Sequence, residues 1–198
     1  MRASIVDYGA GNLYSLARAV TATGAEPVVT SDIATALKCD ALILPGVGAF
    51  GSAMKVLESH APQIRAALHD GLPCLGICLG MQLLFESSAE GPGDGIAAFK
   101  GSVRRLRAQR VPQIGWNDLE DVVDPAIRTS GLSTAYFANS FVCEPADKSI
   151  VTAWTTHESD RFGAAVRSGN IVGVQFHPEK SSVAGLSFIS SFLSGIRT

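Results

Sequence analysis

The chain has 198 residues, a length typical of one domain with a substantial hydrophobic core. Its 16 basic residues are outnumbered by 18 acidic ones, and a net charge of -2 argues against a nucleic-acid-binding or anionic-membrane-binding protein. No apolar run approaches the roughly 18 residues of a membrane span, and the first apolar segment is too short for a signal peptide, so we expect a cytoplasmic protein.

The first part of the sequence alternates short apolar strands with helical segments. A strand at residues 4–7 is followed by a glycine-containing loop and a helix that begins near Leu13. A second strand, residues 27–30, leads to a short helix capped by Asp32, and a third strand, residues 41–44, is continuously apolar. This pattern predicts a parallel sheet whose central strands are buried on both faces.

Two glycine-containing loops follow strands in this part of the chain. The pair Gly9 and Gly11 lacks the third glycine of the dinucleotide-binding fingerprint, because position 14 is Tyr14, so a tight turn is the simpler interpretation. Residues 45–51 follow the third strand, at the edge of the sheet where open α/β folds bind ligands. Taken alone this loop is most simply a turn, although its glycines also permit a backbone N–H to face a substrate oxygen.

A Gly-x-Cys-x-Gly sequence at residues 76–80 separates a predicted strand from a predicted helix. The strand follows a helical segment, residues 52–70, which has an expected break at residues 60–62. Gly-x-nucleophile-x-Gly at a strand-to-helix junction is a nucleophile elbow, which would expose the thiol of Cys78 above the sheet, where the helix start favours the thiolate. A buried and inert cysteine is the alternative, and the choice depends on whether a base lies elsewhere in the chain.

The remaining cysteines do not indicate a disulfide framework or a metal site. The four cysteines are scattered through the chain at positions 39, 74, 78 and 143. Cys74 and Cys78 have the spacing C-x3-C instead of the C-x2-C of zinc and thioredoxin-like motifs. We therefore predict no metal and no cofactor.

Beyond residue 95 the sequence changes to short strand-like segments without a long helical pattern between most of them. The predicted strands cover residues 102–106, 111–116, 135–142, 150–155, 162–166 and 170–176. This favours hairpins added to one mixed sheet, and one domain spanning residues 1–198. A basic cluster consists of Arg104, Arg105, Arg107 and Arg110. We interpret it as a solvated strand face, with a phosphate or partner contact as the alternative.

The last predicted strand runs directly into His177-Pro178-Glu179, and a final helix begins near Ser182. In an extended segment residues two apart point the same way, so Glu179 can accept the second ring N–H of His177. Together with Cys78 they supply a nucleophile, a base and a group that orients the base, which acyl transfer requires. All three follow predicted strands, so the catalytic interpretation of Cys78 is favoured.

These motifs resemble the class I glutamine amidotransferases. The resemblance rests on residues 76–82 and 175–181, and residues 7–13, 44–50 and 115–117 extend it to the glutaminase subunits of imidazole glycerol phosphate synthases. Together the motifs span nearly the whole chain. They imply a flavodoxin-like α/β fold of the class I amidotransferase type. Its sheet is open, mixed and mostly parallel, with helices on both faces and antiparallel hairpins in the C-terminal half.

The resemblance implies hydrolysis of L-glutamine to glutamate and ammonia, with Cys78 as nucleophile, His177 as base and Glu179 as its orienting partner. The other implied roles are an oxyanion hole formed by Val47, Gly48 and Leu79, glutamine binding by Gln82, Glu90 and Ser140, and a partner interface that includes Asn12 and Lys180. The implied partner is a (β/α)8-barrel cyclase subunit. It uses the ammonia to make imidazole glycerol phosphate and aminoimidazole carboxamide ribotide in histidine biosynthesis.

Two segments depart from the family pattern. Gln113 and Asn139 stand where the family commonly has histidines, and Phe141 stands where it commonly has tyrosine. These replacements motivate an alternative, a related glutaminase that supplies ammonia to a different cyclase in another pathway. A non-catalytic regulatory subunit is a second alternative. A stand-alone cysteine hydrolase is a third, against which residues 115–117 argue.

Overall fold

The computed structural model describes residues 1–9 and 13–196, so Asn12, an expected interface residue, lies outside the described residues. The strands are β1 (Arg2–Val6), β2 (Glu26–Thr30), β3 (Ala41–Leu44), β4 (Cys74–Ile77), β5 (Ser87–Ser88), β6 (Gly101–Arg105), β7 (Gln113–Asp118), β8 (Thr134–Asn139), β9 (Phe141–Pro145), β10 (Val151–His157), β11 (Asp160–Ser168) and β12 (Ile171–Val174). The helices are α1 (Leu13–Ala22), α2 (Ile33–Ala36), α3 (Phe50–Leu57), α4 (Ala61–His69), α5 (Leu79–Leu83), α6 (Pro125–Ser130) and α7 (Ser182–Gly195). Within the described ranges, no helix has the length and apolar character needed to cross a membrane.

A seven-stranded sheet with the order β10-β11-β12-β4-β3-β1-β2 forms the centre of the fold. The strands from β12 to β2 are parallel, whereas β11 is antiparallel to β12 and β10 is antiparallel to β11. The α/β class and the mixed, mostly parallel sheet are therefore confirmed. The other strands of the C-terminal half form two small sheets, β5-β6-β9 and β7-β8, and do not all join the main one.

Helices cover both faces of the main sheet because its central strands are apolar on both faces. All residues of β3 are buried. Ala41 and Ile43 pack into the same core as α1 and α7, whereas Leu42 and Leu44 pack into the core on the side of α3 and α4. Since successive side chains of a strand point to opposite faces, a strand between two helical layers must be continuously apolar.

Two local features of the C-terminal half differ from the sequence prediction. The expected strand over residues 135–142 is broken at Ser140 into β8 and β9, which belong to different sheets. Helix α6 was not predicted, since its 6 residues are too few to display a helical period. Asp124, which caps its start, and Gly131, which ends it with a φ of 68°, were the available signals.

The arginine cluster is partly an internal ion pair and not a uniformly solvated face. Arg104 on β6 donates two hydrogen bonds, of 2.7 and 2.8 Å, to the carboxylate of Asp160 on β11. Burial raises the pKa of Asp160, but the bonds from Arg104 and from the N–H of Arg107 lower it below the ordinary value. Arg105 and Arg110 are exposed. The cluster thus ties a small sheet to the main one.

Candidate active site

The candidate site lies at the carboxyl ends of three adjacent strands, β3, β4 and β12. The loop at residues 45–49 follows β3, Cys78 follows β4, and His177 lies just beyond the end of β12. Because β4 pairs with both neighbours, the thiol lies between the glycine loop and the base. Each segment was expected at a strand end, and the strand order is what brings them together.

Cys78 occupies the sharp turn that its flanking glycines predict. Its φ of 50° and ψ of -103° are unusual for a residue with a side chain. Its N–H donates to the carbonyl of Val174 at 2.7 Å, which ties the turn to β12. A Cβ on Gly80 would overlap the carbonyl oxygen of Leu44, and one on Gly76 would lie 2.7 Å from the carbonyl oxygen of Gly80. Both glycines are therefore required for α5 to begin this close to β3 and β4.

The sulfur of Cys78 is enclosed between β8 and the segment that follows β12. The residue is 6% exposed, and its Sγ lies 3.9 Å from the carbonyl oxygen of Ala138. Gln175, which is fully buried, places its Nε2 3.4 Å from the same sulfur. We did not predict Gln175 as a site residue. The available signal was an amide side chain within an apolar run, directly after a strand and two residues before His177.

His177 and Glu179 form the predicted pair. Nδ1 of His177 lies 2.9 Å from Oε1 of Glu179, and the side chains are 1% and 10% exposed. The backbone differs from the extended segment we expected, because Pro178–Lys180 form a 3-10 turn. Within the described part of the chain, Nε2 of His177 has no hydrogen-bond partner, which leaves it available to exchange a proton.

Hydrogen bonds to β8 hold the segment that carries His177. The N–H of His177 donates to the carbonyl of Tyr136 at 2.8 Å. The buried hydroxyl of Ser181 donates to the carbonyl of His177 at 2.7 Å and accepts the N–H of Tyr136 at 2.9 Å. Ser181 thus fixes the base to the strand that also contacts the Cys78 sulfur. No sequence motif indicated this role.

The environment of His177 raises its pKa to about 9. Burial, the largest influence, lowers this pKa, but the hydrogen bond with Glu179 and the charges of Cys78 and Glu179 together outweigh the effect of burial. At neutral pH this raised pKa favours the imidazolium form of His177. Such an imidazolium can donate a proton to a departing group.

Replacement of Glu179 by glutamine is expected to lower the pKa of His177, because the variant keeps the shape but removes the charge that stabilises the imidazolium. NMR titration of the ring protons, assigned with a His177→Asn variant, measures this shift.

Because the folded-state pKa of His177 lies above the ordinary 6.5, the imidazolium stabilises the fold below pH 6.5, and this stabilisation is lost as the pH rises toward 9. In Glu179→Gln this stabilisation by the His177 imidazolium should be lost completely at a lower pH than in the wild-type protein. Exposed Glu58→Gln serves as the control, and an unchanged His177 titration in Glu179→Gln would contradict the assignment.

The loop after β3 is anchored at its start and packs against the elbow. The buried hydroxyl of Tyr8 donates to the carbonyl of Pro45. Burial, followed by the charges of Cys78 and Cys74, raises the pKa of Tyr8, which keeps the phenol protonated as a donor. A Cβ on Gly46 would overlap the carbonyl oxygen of Ile77 and lie 3.0 Å from the Cβ of Cys78. The loop backbone is therefore in direct contact with the nucleophile elbow.

A cavity of about 180 Å³ opens beside Cys78. Its lining includes all the residues expected to form the oxyanion hole and to bind glutamine, namely Val47, Gly48, Leu79, Gln82, Glu90 and Ser140. Lys180 is not part of this lining; it is exposed, with its Nζ 5.8 Å from the centre of the Tyr136 ring. The structure thus brings the expected binding residues together with Cys78 and places Lys180 on the surface nearby.

Glu90 and Gln82 are already engaged by protein groups. Oε2 of Glu90 accepts the N–H of Phe50 at 2.8 Å, at the start of α3, where the N-cap residue Ala49 supplies no side-chain bond. A negative charge is favourable at this end of a helix. Nε2 of Gln82 donates to the carbonyl of Phe141 at 3.1 Å. Both side chains are thus held in place before any ligand binds.

Two of the departures from the family pattern face each other across β7 and β8. Gln113 is paired with Asn139 in the strand register, and both are buried. Nδ2 of Asn139 donates to the carbonyl of Phe141 at 3.1 Å, and Asn139 and Phe141 line the cavity. The side-chain oxygens of Gln113 and Asn139 have no hydrogen-bond partner among the described residues. Asn139 and Phe141 therefore reach the cavity, whereas Gln113 is paired with Asn139 but is not part of the cavity lining.

Comparisons with known proteins agree with this architecture. The sequence model of the family "Glutamine amidotransferase class-I" matches residues 4–194. The chain is 40% identical over 202 residues to the imidazole glycerol phosphate synthase subunit HisH of Trichormus variabilis, an alignment that covers 98% of this chain and 96% of that protein. It is 41% identical to the subunit of the same name from Nostoc punctiforme, with the same coverage.

Solved structures show the same fold at lower sequence identity. A crystal structure of a glutamine amidotransferase superposes with a TM-score of 0.77 at 19% identity, covering 100% of this chain and 99% of that one. The structure of PurLQS from Thermotoga maritima gives a TM-score of 0.75 at 22% identity, with 98% of each chain covered. The overall fold is therefore shared with these solved structures.

Proposed function

Since the chain belongs to the class I glutamine amidotransferase family, we propose that it is the glutaminase subunit of an imidazole glycerol phosphate synthase, acting as one domain over residues 1–198. It hydrolyses L-glutamine to glutamate and ammonia, and the ammonia is used in L-histidine biosynthesis. The observation that carries this proposal is a buried thiol at the strand end next to the His177–Glu179 pair, in a chain about as long as the HisH subunits it matches. These relatives share one name, and nothing among them favours a different pathway.

The first half of the reaction forms a thioester on Cys78. The sulfur attacks the side-chain amide carbon of glutamine, and the electrons of the carbonyl double bond move onto its oxygen. His177 holds the thiol proton, and Glu179, 2.9 Å from Nδ1, stabilises the resulting imidazolium. When the tetrahedral intermediate collapses, the C–N bond breaks and His177 gives its proton to the departing nitrogen, which leaves as ammonia.

The second half of the reaction regenerates the thiol. His177 removes a proton from a water molecule, whose oxygen attacks the thioester carbon. The C–S bond then breaks, glutamate is released, and the proton returns from His177 to the Cys78 sulfur. The unpartnered Nε2 of His177 fits this alternation between proton acceptor and proton donor.

The oxyanion formed in both halves needs backbone donors. We assign this role to the N–H of Leu79, which begins α5 and so lacks an acceptor one turn earlier in its helix, and to the peptide between Val47 and Gly48. Gly48 has a φ of 129°, which residues with side chains rarely adopt. A glycine at this position permits the peptide to change direction at low cost. A partner can then control activity through this loop, so we expect the isolated chain to have weak basal activity.

Glutamine binding is assigned to the cavity beside Cys78. The carboxylate of Glu90 complements the α-ammonium group of the substrate, whereas Gln82 and Ser140 supply polar contacts to the rest of the amino acid group. All three side chains line the cavity. The fixed positions of Glu90 and Gln82 lower the conformational entropy that binding would cost.

The partner is a cyclase subunit with a (β/α)8 barrel, which covers the surface next to the site. Exposed apolar side chains lie on this surface: Ile114 and Trp116 on β7 are 68% and 55% exposed. Trp116 packs edge-on against Tyr136 at 6.2 Å, and Lys180 lies over the same ring. Large exposed apolar groups near a polar rim are typical of protein interfaces. Closure of this surface by the cyclase would protect ammonia from loss to water. A contact of Asn12 with the cyclase and a cytoplasmic location of the protein stay predictions.

Reconstitution with a histidine-pathway cyclase tests the proposed function. We expect the mixture to form imidazole glycerol phosphate from the cyclase substrate when glutamine is the nitrogen source. Glutamate release by the isolated chain should be slow, and it should rise when the cyclase and its ligand are added, because the loop at Gly48 then presents its N–H. The cyclase with ammonium salt alone is the control. A cyclase that is active with ammonium but yields no glutamine-dependent product with this chain would overturn the proposal.

A further inference from the structure

A relay of side-chain amides connects β9 to the Cys78 sulfur. Nε2 of Gln82 lies 3.1 Å from the carbonyl oxygen of Phe141 and 3.3 Å from Oε1 of Gln175. Nε2 of Gln175 in turn lies 3.4 Å from Sγ of Cys78. Gln175 is fully buried and Gln82 is 5% exposed. A buried amide is costly unless its polar atoms are paired, so the relay satisfies these groups and ends at the reactive atom.

The backbone carbonyl of Phe141 determines the direction of this relay. A carbonyl oxygen can only accept, so Gln82 must direct its amide nitrogen toward Phe141. The second N–H of this nitrogen then meets Oε1 of Gln175, which leaves the amide nitrogen of Gln175 facing the sulfur. Rotation of either amide by 180° would oppose two acceptors or two donors. Gln175 therefore approaches Cys78 as a donor.

Two hydrogen-bond partners of the sulfur favour different protonation states. The carbonyl of Ala138, 3.9 Å from Sγ, can only accept a hydrogen bond, so it pairs with the neutral S–H. The N–H of Gln175 can only donate, and such a bond becomes stronger when the acceptor carries a negative charge. We propose that Gln175, oriented by Gln82, is a positioning residue that stabilises the thiolate of Cys78. The inference rests on the proposed function, in which Cys78 is the nucleophile.

Other ionisable groups also influence this sulfur, and the test must leave them unchanged. His177, Tyr8 and Cys143 interact with Cys78 electrostatically from the ends of β12 and β1 and from β9. Beyond His177 lies Glu179, and Glu90 lines the same cavity. A substitution of Gln175 alters none of these ionisable groups, so a change in the reactivity of the Cys78 thiol would be due to the loss of the Gln175 amide.

Gln175→Met is expected to slow the alkylation of Cys78 by iodoacetamide about tenfold at pH 7, because the thiolate loses a charge-assisted hydrogen bond. The variant keeps the length of the side chain and removes the donor. Mass spectrometry of the Cys78 peptide over time gives the rate in the full chain. The difference between the two alkylation rates should narrow as the pH is raised, because added base removes the thiol proton in both proteins. A rate difference caused by a packing defect alone would not narrow with pH.

Two further variants separate the relay from the loss of a buried amide. Gln82→Met leaves Gln175 in place but removes the group that orients its amide, so alkylation of Cys78 should slow by a smaller factor than in Gln175→Met. If Gln175→Met does not fold, Gln82→Met alone tests the proposal. Gln113→Met removes another buried amide and should keep the wild-type rate. Wild-type rates in both Gln175→Met and Gln82→Met would overturn the relay and leave the proposed function intact. A Cys78 that resists alkylation in the wild-type protein would contradict the proposed function itself.

Discussion

Glutamine hydrolysis is expected to fall on the order of 10⁴-fold or more when Cys78 is replaced by serine, because a hydroxyl cannot replace the thiolate that forms the thioester. Serine differs little in size, so the strained turn and α5 should persist. Glutamate release by the chain in complex with its cyclase measures the loss. Formation of product from ammonium salt should be unaffected, since the cyclase then receives its nitrogen from solution.

Cys143→Ala is the matched control for this experiment. Burial, followed by the charge of Cys78, raises the pKa of Cys143, so this second buried thiol stays protonated and unreactive. An electrophilic glutamine analogue should form one adduct at Cys78 in the wild-type chain and in Cys143→Ala, and none in Cys78→Ser. A wild-type chain whose Cys78 stays unlabelled would favour the non-catalytic regulatory subunit over an enzyme.

Gly46→Ala is expected to lower glutamine hydrolysis on the order of a hundredfold, the typical cost of losing one oxyanion donor. The added Cβ would overlap the carbonyl oxygen of Ile77 and lie 3.0 Å from the Cβ of Cys78. Both contacts involve the elbow, so the loop must move away and carry the peptide between Val47 and Gly48 with it. The kcat of the reconstituted complex measures the effect.

Gly51→Ala provides the corresponding control in the first turn of α3, directly after the loop. Its Cβ would lie 3.5 Å from the carbonyl oxygen of Pro92, an ordinary contact, and alanine is the better residue within α3. We expect its kcat to stay within about twofold of the wild-type value. If Gly46→Ala retained full activity with a normal thermal unfolding temperature, catalysis would not depend on the close approach of the loop to Cys78. That result would contradict the assignment of the Val47–Gly48 peptide to the oxyanion hole.

Much of the parallel half of the fold can be predicted from local sequence. The apolar run at β3 predicts the strand with its observed bounds because burial on both faces leaves no polar position. Asp32 caps α2 as predicted, and the expected helix break near residues 60–62 is present as a 3-10 turn at Glu58–His60. The flanking glycines of Cys78 predict its strained turn, because no side chain fits where α5 crosses the strand ends.

The C-terminal half is harder to predict from local sequence, because the bounds of its strands depend on pairing with residues that are distant in the chain. Residues 135–142 have the pattern of one strand, yet β8 pairs with β7 and β9 pairs with β6, so the chain must leave one sheet for another at Ser140. Nothing in the local alternation of apolar residues records which partner a strand will have. Helix α6 is stabilised by its caps and its packing and not by a long apolar period.

The sequence by itself determined the chemistry available to this protein: a thiol in a nucleophile elbow, a His177–Glu179 pair at a strand end, and a glycine loop that can present backbone donors. The tertiary structure decided that these parts meet, because the order β3-β4-β12 places three strand ends side by side. It also decided which groups hold them, among them Gln175 against the sulfur and Ser181 behind His177. The reason is physical: local sequence sets backbone conformation and burial, whereas hydrogen bonds between residues far apart in the chain exist only after the sheet has assembled.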